Sequence, residues 1–317
     1  MITQALVLAD RDGPEFEPLA TGLPPALLPI AGKPVIQHCI EDLWEAGIRD
    51  VLVAVPAGDR TIERELGNGQ RFGLTLRYLD TGGRTWPGAV LAIAGLPIDA
   101  PLLVARGDVL RGRSARALVD LGCESDLDVV VGTIGSTPAG IALIKRRCSG
   151  VNQLDWSLVR RGERSQGASI IELGDVGFAA LDSLTTLFEA GLAAIEGRYA
   201  GLVMDGRTQG SSGLSIAARA SIARSVHASG IARIGRRADL HDDVEVAGRV
   251  EVGDGCVIDE AAQLIDAVVL PGTYVGRGVR LQNAIAHGPW LYRADLDTCQ
   301  RVEDPLLLAG PAAAIAA

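Results

Sequence analysis

Lysine is nearly absent from this sequence: Lys33 and Lys145 are the only two among 30 lysine and arginine residues. Histidine, with four residues, and the aromatic residues, at 4%, are also scarce. A net charge of -9 provides no general attraction to nucleic acid or to an anionic membrane, so we expect neither as a partner. No apolar run approaches the length of a membrane span, and the first residues lack the pattern of a secretion signal.

Cysteine is also too sparse and scattered to indicate a metal site or a disulfide framework. The five cysteines are odd in number and lack the spacing of metal ligands, which favours reduced packing residues in a cytoplasmic protein. They lie at positions 39, 123, 148, 256 and 299.

What the chain does contain is typical of a globular protein. Hydrophobic residues make up 48% and charged residues 22% of its 317 residues, enough for two domains or for one large domain with an appendage. Short apolar runs alternate with segments of helical spacing, which predicts an α/β domain with buried parallel strands. The predicted strands are residues 5–9, 48–55, 74–79, 101–110 and 127–134.

The N-terminal stretch, residues 5–36, predicts a strand, a polar loop and a helix in that order. A loop that leaves the carboxyl end of the first parallel strand, with a helix after it, is a common position for phosphate binding in α/β proteins. The sequence of this stretch resembles the signature motif of the sugar-1-phosphate nucleotidyltransferases. The residues that carry the resemblance are Leu8, Ala9, Gly13, Pro18, Leu19, Pro24, Leu27, Pro29, Gly32, Lys33 and Pro34.

Three departures from that signature bear on activity. Glu15 stands where the family has an arginine, Pro25 stands where it has a lysine, and Arg11 replaces a loop glycine. The family's two phosphate-handling cations are therefore missing, and an isolated carboxylate at position 15 would oppose a phosphate. This pattern favours a catalytically impaired member whose catalytic residues are unknown.

The resemblance also implies a set of ligand-binding residues. Asp108 falls on the family's metal-binding aspartate and would hold Mg²⁺, although an aspartate there also suits a cap on the following helix. The second metal aspartate aligns with Thr208, or with Asp205 if the alignment shifts. Sugar-binding positions are Gly140 and Gly177, and the nucleotide-binding positions are Leu8, Ala9, Asp10, Arg11, Gly13, Lys33 and Gly88.

The C-terminal region has a different period. Aliphatic residues recur every six positions, with one slip, a spacing typical of a parallel β-helix. They are Ile234, Leu240, Val246, Val252, Ile258, Leu264, Val269, Val275 and Leu281. We therefore expect a Rossmann-like, GT-A-like mixed-sheet nucleotidyltransferase domain in residues 1–225, a short left-handed parallel β-helix in 226–290 and a tail in 291–317.

Three functions are consistent with these patterns. The preferred one is a nucleotidyltransferase-like protein that binds a nucleotide, a nucleotide sugar or an active partner in polysaccharide or nucleotide-sugar metabolism. The second is an active sugar-1-phosphate nucleotidyltransferase in which Arg11, Lys33 or Arg84 replaces the lost cations. The third is a hexapeptide acyltransferase, for which His241 and His287 are available. Association into a homo-oligomer, or with an active homologue, is implied by the family.

Overall fold

The computed structural model describes residues 2–82, 100–145, 169–209 and 213–310. Eleven strands lie in the N-terminal part of these residues. Their bounds are β1 Gln4–Leu8, β2 Pro29–Ile30, β3 Lys33–Pro34, β4 Asp50–Val55, β5 Thr75–Asp80, β6 Leu102–Arg106, β7 Val109–Arg111, β8 Val129–Ile134, β9 Thr137–Ile144, β10 Ser169–Glu172 and β11 Phe178–Ala180.

The main sheet is mixed, as the sequence predicts. Its strand order is β10-β8-β9-β6-β1-β4-β5. β1 pairs in parallel with β4 and β6, whereas β9 runs antiparallel to both β6 and β8. The α/β fold class is therefore confirmed. β1 and β6 are neighbours in the middle of the sheet, and their carboxyl ends lie beside each other.

Four helices are described: α1 Val35–Glu45, α2 Thr61–Leu66, α3 Ala115–Glu124 and α4 Leu184–Ile195. The apolar residues of α1 recur at helical spacing, and Ile36, Ile40 and Leu43 are buried against the main sheet. Helix α4 begins at a capping box formed by Ser183 and Thr186, which satisfies backbone N–H groups at its first turn. None of the described helices is long and apolar enough to cross a membrane.

The C-terminal strands are β12 Arg207–Gln209, β13 Leu214–Ile216, β14 Ser221–Ile222, β15 His227–Ile234, β16 Asp239–Leu240, β17 Glu245–Val252, β18 Val257–Ile258, β19 Gln263–Val269, β20 Tyr274–Val275, β21 Arg280–His287, β22 Trp290–Arg293, β23 Thr298–Arg301 and β24 Leu308–Ala309. Most of the C-terminal strands stack in parallel, whereas β12, β22, β23 and β24 pair antiparallel to their neighbours. Strands β13, β15, β17, β19 and β21 form one parallel series, and β14, β16, β18 and β20 form a second.

These two series are consistent with a β-helix whose coils repeat about every 17 or 18 residues, from Arg233 to Glu251 to Val268. Bends within the long strands fall on stacked residues with positive φ, including Gly248 and Asp266. The nine aliphatic residues that recur about every six positions all lie in one buried cluster. The left-handed sense and the boundary at residue 225 remain predictions.

A shared hydrophobic core joins the two parts. It contains Phe16 and Leu19 from the first loop, Phe188 from α4, and Val268 and Ile285 from the parallel coils. His287 adds a polar contact, since its Nδ1 lies 2.5 Å from the carbonyl oxygen of Leu19. The coils are therefore packed directly against the end of the first loop and the residues just after it.

His38 on α1 gives the N-terminal part a defined pH dependence. Its side chain is buried and its Nε2 donates to the carbonyl of Ile30 at 3.0 Å. Burial lowers the pKa of His38 from 6.5 to about 4, against the opposing effect of that hydrogen bond. Below pH 6.5 His38 therefore binds a proton in the unfolded chain, whereas in the folded protein it does so only as the pH approaches about 4.

We expect this difference to cost the folded state up to about 3 kcal/mol as the pH falls from 6.5 towards 4. Urea unfolding of wild type and His38→Gln across this range measures it. The wild type should lose more stability than the variant, and the exposed-site control His227→Gln should follow the wild type. A constant difference between wild type and His38→Gln at all pH values would contradict the assignment.

Candidate functional site

The candidate site lies where β1 and β6 end. Leu8 and Arg106 are register partners, and the N–H of Gly107 donates to the carbonyl of Leu8 at 2.8 Å. This pairing brings the loop that begins with Ala9 and Asp10 beside Asp108, which follows β6. The structure thus brings together two segments that the sequence predicts as parts of one site.

Arg11 connects these segments. Its Nη1 donates to Asp108 Oδ2 at 2.5 Å and to the carbonyl of Leu181 at 2.9 Å. Its Nη2 donates to Glu15, four residues further along the loop. One guanidinium therefore ties the first loop to the end of β6 and to the segment after β11.

Asp108 is enclosed by a second arginine. Arg106 donates from Nε to Oδ1 at 2.8 Å and from Nη2 to Oδ2 at 2.7 Å, and the Asp108 residue is only 3% exposed. Burial alone would raise the pKa of this carboxyl, but the hydrogen bonds and charges of Arg106 and Arg11 outweigh it. The pKa of Asp108 accordingly lies below its ordinary value, and the side chain is an ionised carboxylate.

These residues do not fit the Mg²⁺ ion that the family implies. Magnesium takes oxygen ligands in a near-ideal octahedron, whereas both oxygens of Asp108 already accept from guanidinium groups. Asp205, the alternative second carboxylate, accepts from Arg236 at 2.5 Å. In the described ranges no group of three or more His, Cys, Asp or Glu side chains is arranged to hold a metal.

Glu15 and Pro25, at the family's cation positions, have structural partners. Glu15 forms an ion pair with Arg11, so its charge is not isolated as the sequence alone suggests. Pro25 is buried and packs on Gly13, where an added Cβ would lie 2.7 Å from its Cγ. Gly13 has a φ of 74°, which favours glycine. The loop is therefore held in shape by the same two residues that deprive it of positive charge.

Lys33 lies apart from this network. Its Nζ donates to both carboxylate oxygens of Glu41, at 2.9 and 3.0 Å. It lines a cavity of about 800 Å³ between the N-terminal part and the parallel coils, whose lining also includes Arg233 and Glu251. Neither Arg11 nor Asp108 belongs to that lining. Lys33 is thus paired with a carboxylate in a cavity that is separate from the Arg11–Asp108 pair.

Arg233 and Glu251 form the buried floor of that cavity. Arg233 is fully buried, and its Nη1 lies 3.6 Å from Glu251 Oε1. The N–H of Gly32 donates to the same oxygen at 2.9 Å. Burial raises the pKa of the Glu251 carboxyl, against the opposing charge of Arg233. These contacts join the turn between β2 and β3 to the coils.

The two predicted sugar-pocket glycines have different surroundings. Gly140, with a φ of 66°, lies next to the site, since an added Cβ would be 3.5 Å from the Cβ of Arg106. Gly177 packs against a turn after α4, where an added Cβ would be 2.4 Å from the carbonyl oxygen of Arg198. Gly88 and Arg84 lie outside the described residues.

Arg106 is the residue of the candidate site that sequence reasoning missed. It is the last residue of β6 and is buried, as is Asp108 two positions later. Two oppositely charged residues so close together in a buried, apolar run are the signal that could have paired them, because a buried charge requires a counterion. The carbonyl of Leu181 carries no such signal, because a backbone acceptor leaves no trace in the sequence.

Comparison with known proteins agrees with this geometry. Residues 4–139 match the model of the nucleotidyl transferase family. The chain is 30% identical over 133 residues to mannose-1-phosphate guanylyltransferase of Mycobacterium tuberculosis, covering 40% of this chain and 36% of that protein. It is 38% identical over 76 residues to glucose-1-phosphate thymidylyltransferase of Mycolicibacterium smegmatis, covering 24% and 26%.

A third relative is N-acetylmuramate alpha-1-phosphate uridylyltransferase of Neisseria meningitidis, 33% identical over 109 residues and covering 34% of this chain and 47% of that protein. The matches thus span between 26% and 47% of these relatives' lengths. A solved glucose-1-phosphate thymidylyltransferase from Bacillus anthracis aligns with a TM-score of 0.47 and 17% identity, over 61% of this chain and 95% of that one.

The residues that match the nucleotidyl transferase family form most of the mixed sheet. The relatives quoted above are named as sugar-1-phosphate nucleotidyltransferases, and this chain is similar to that family. The resemblance seen in the signature loop is confirmed.

Proposed function

We propose that this protein binds a nucleotide or nucleotide sugar at the edge where β1 and β6 end, and that it is catalytically impaired. The observation that carries the proposal is the chain of ion pairs Glu15–Arg11–Asp108–Arg106. It occupies the positions at which the family holds a metal ion and the phosphates of a triphosphate.

The proposed impairment follows from the chemistry of the family reaction. A sugar-1-phosphate oxygen attacks the α-phosphorus of a nucleoside triphosphate, and pyrophosphate leaves with growing negative charge. Catalysis of such a step is mainly orientation and charge neutralisation, and the loss of one preorganised donor commonly costs a factor of about 100 to 1,000. Here two cation positions hold Glu15 and Pro25, and the metal position is enclosed by arginines.

Binding requires fewer groups than turnover. Gly13 of the first loop is retained, and Arg11 remains as a guanidinium donor. The wider role that suits such a protein is in polysaccharide or nucleotide-sugar metabolism, in the cytoplasm, as a homo-oligomer or with an active homologue.

An active nucleotidyltransferase is the second candidate, and one observation favours it. The relatives quoted above bear the names of transferases that use mannose-1-phosphate, glucose-1-phosphate or N-acetylmuramate 1-phosphate. In this alternative Arg11 leaves Asp108 when substrate binds and contacts the phosphates directly.

Two assays separate these functions. Pyrophosphate release is measured with each common nucleoside triphosphate, with mannose-1-phosphate or glucose-1-phosphate, and with MgCl₂. Thermal unfolding is measured with the corresponding nucleotide sugars. We expect release at least about 100-fold below that of an active relative, together with an increase of several degrees in Tm with at least one nucleotide or nucleotide sugar.

The Mycobacterium tuberculosis guanylyltransferase is the positive control for release. Pyrophosphate release at a comparable rate, abolished by Asp108→Ala, would show an active enzyme and contradict the proposal. Absence of any thermal shift with any nucleotide or nucleotide sugar would contradict the binding function. Acetyl transfer from acetyl-CoA, lost on His241→Ala, would instead identify the acyltransferase.

A further inference from the structure

We propose that the site recognises a nucleoside diphosphate sugar without a divalent metal, and that Arg11 is the side chain that contacts its diphosphate. In this assignment Asp108 is a positioning residue that orients Arg11 and is not a metal ligand. The inference rests on the proposed binding function and specifies its ligand.

The first support is the geometry of Arg11. Its side chain is 25% exposed, whereas that of Asp108 is 4% exposed, so of this pair the guanidinium is the group that reaches solvent. Three acceptors hold it: Asp108, the carbonyl of Leu181 and Glu15. Five N–H groups are available on a guanidinium, and the contacts among the described residues use three of them. A planar fork with donors to spare suits a phosphate oxygen.

The second support is the saturation of Asp108. Three N–H groups from Arg11 and Arg106 converge on its two oxygens. A divalent cation would have to displace at least one guanidinium and then stand beside two positive charges in a buried setting. The same contacts that exclude a metal fix the orientation of Arg11.

The third support is the charge of the loop, which selects the ligand. Residues 10–17 contain four carboxylates, those of Asp10, Asp12, Glu15 and Glu17, against the single cation Arg11. A metal-free triphosphate carries about four negative charges and would be repelled, whereas a diphosphate diester carries about two. Metal-independent binding at this loop therefore favours the nucleotide sugar over the triphosphate.

The ligand and Glu15 compete for Arg11. A diphosphate oxygen that binds the remaining N–H groups of Arg11 lies close to the Glu15 carboxylate, whose negative charge opposes it. Removing the charge at position 15 should consequently tighten binding, whereas removing the charge at position 11 should weaken it. These opposite signs distinguish a direct contact from a general effect on folding.

The experiment is calorimetric titration of the full chain with GDP-mannose, UDP-glucose and dTDP-glucose, and with the matching triphosphates, in EDTA or in MgCl₂. We expect at least one nucleotide sugar to bind with a Kd that changes by less than about twofold between the two buffers. The matching triphosphate in EDTA should bind at least about tenfold more weakly.

Variants assign the roles. Arg11→Gln should weaken binding of the nucleotide sugar by about tenfold or more, and Glu15→Gln should tighten it about threefold or more. Asp108→Asn should weaken binding, and in the double variant with Arg11→Gln it should add nothing, because Asp108 acts through Arg11. Arg60→Gln, a change at an exposed arginine on the loop before α2, is the matched control and should leave Kd unchanged.

Electron paramagnetic resonance of Mn²⁺ provides a readout that is independent of nucleotides. We expect Asp108→Asn to leave the Mn²⁺ spectrum unchanged from that of the wild type, because Asp108 does not bind the metal. Asp108-dependent Mn²⁺ binding, or nucleotide-sugar binding only in MgCl₂, would overturn the inference and leave the proposed function standing. Loss of affinity on Glu15→Gln, in protein with wild-type circular dichroism, would also overturn it. Absence of binding by every ligand in both buffers would overturn the proposed function as well.

Discussion

Val252→Asp should destabilise the parallel coils by about 4 to 5 kcal/mol, the range reached when a core residue is replaced by an unpaired polar or charged group. Val252 is fully buried in β17, and its register partners Ile234 and Val269 are fully buried as well. Apart from Cys256, the buried side chains of this cluster are aliphatic, so the new carboxyl either remains charged without a counterion or binds a proton and still lacks good hydrogen-bond partners.

Chemical denaturation followed by far-ultraviolet circular dichroism measures the loss, which should appear in the β-strand signal. Ile231→Asp is the matched control, because it makes the same kind of change in the neighbouring strand β15 at a side chain that is 38% exposed. It should cost less than about 1 kcal/mol. Equal denaturation midpoints for the two variants would mean that Val252 does not face the interior of the coils.

Asp42→Ala should destabilise the N-terminal part by about 3 to 5 kcal/mol, because it leaves a buried arginine without its counterion. Asp42 lies on α1, is 3% exposed and has its Oδ2 3.4 Å from Arg111, whose side chain is also buried. Its Oδ1 accepts from the N–H groups of Ser114 and Ala115, at 3.0 and 3.1 Å. One carboxylate therefore serves both a buried cation and the first turn of α3.

Urea unfolding of three variants tests this arrangement. Asp42→Asn keeps an acceptor for the backbone N–H groups but loses the charge, so its loss should be smaller than that of Asp42→Ala. Asp120→Ala removes an exposed partner of Arg116 four residues away on α3 and should cost at most about 0.5 kcal/mol. If Asp42→Ala proved as mild as Asp120→Ala, the buried pair would not be structurally important.

The parts of the fold that depend on local pattern were accessible from the sequence. The run at residues 48–55 corresponds to β4, and the apolar spacing after Pro34 corresponds to α1. The run at 101–110 was predicted as one strand, but the structure divides it into β6 and β7 around Gly107 and Asp108. Arg106, Gly107 and Asp108 interrupt the apolar run at this point, but the apolar residues on both sides favour a single buried strand.

The site was accessible only in outline. Family resemblance directs attention to the first loop and to Asp108, but the contact between Arg11 and Asp108 joins residues 97 positions apart. Composition shows how many charges a loop carries and not where their partners lie. Lys33 illustrates this limit. Its counterion is Glu41, which lies on α1 and not in the first loop.

The core shared by the first loop and the coils has a thermodynamic consequence. Phe16 and Leu19 are anchored against Val268 and Ile285, a few residues beyond Arg11 along the chain. The conformational entropy of the loop is therefore restricted by the coils, and we expect a change that loosens their packing to reduce the population of the loop conformation proposed to bind. We therefore expect affinity and coil integrity to change together, although the hydrogen bonds of the Arg11 guanidinium among the described residues involve no coil residue.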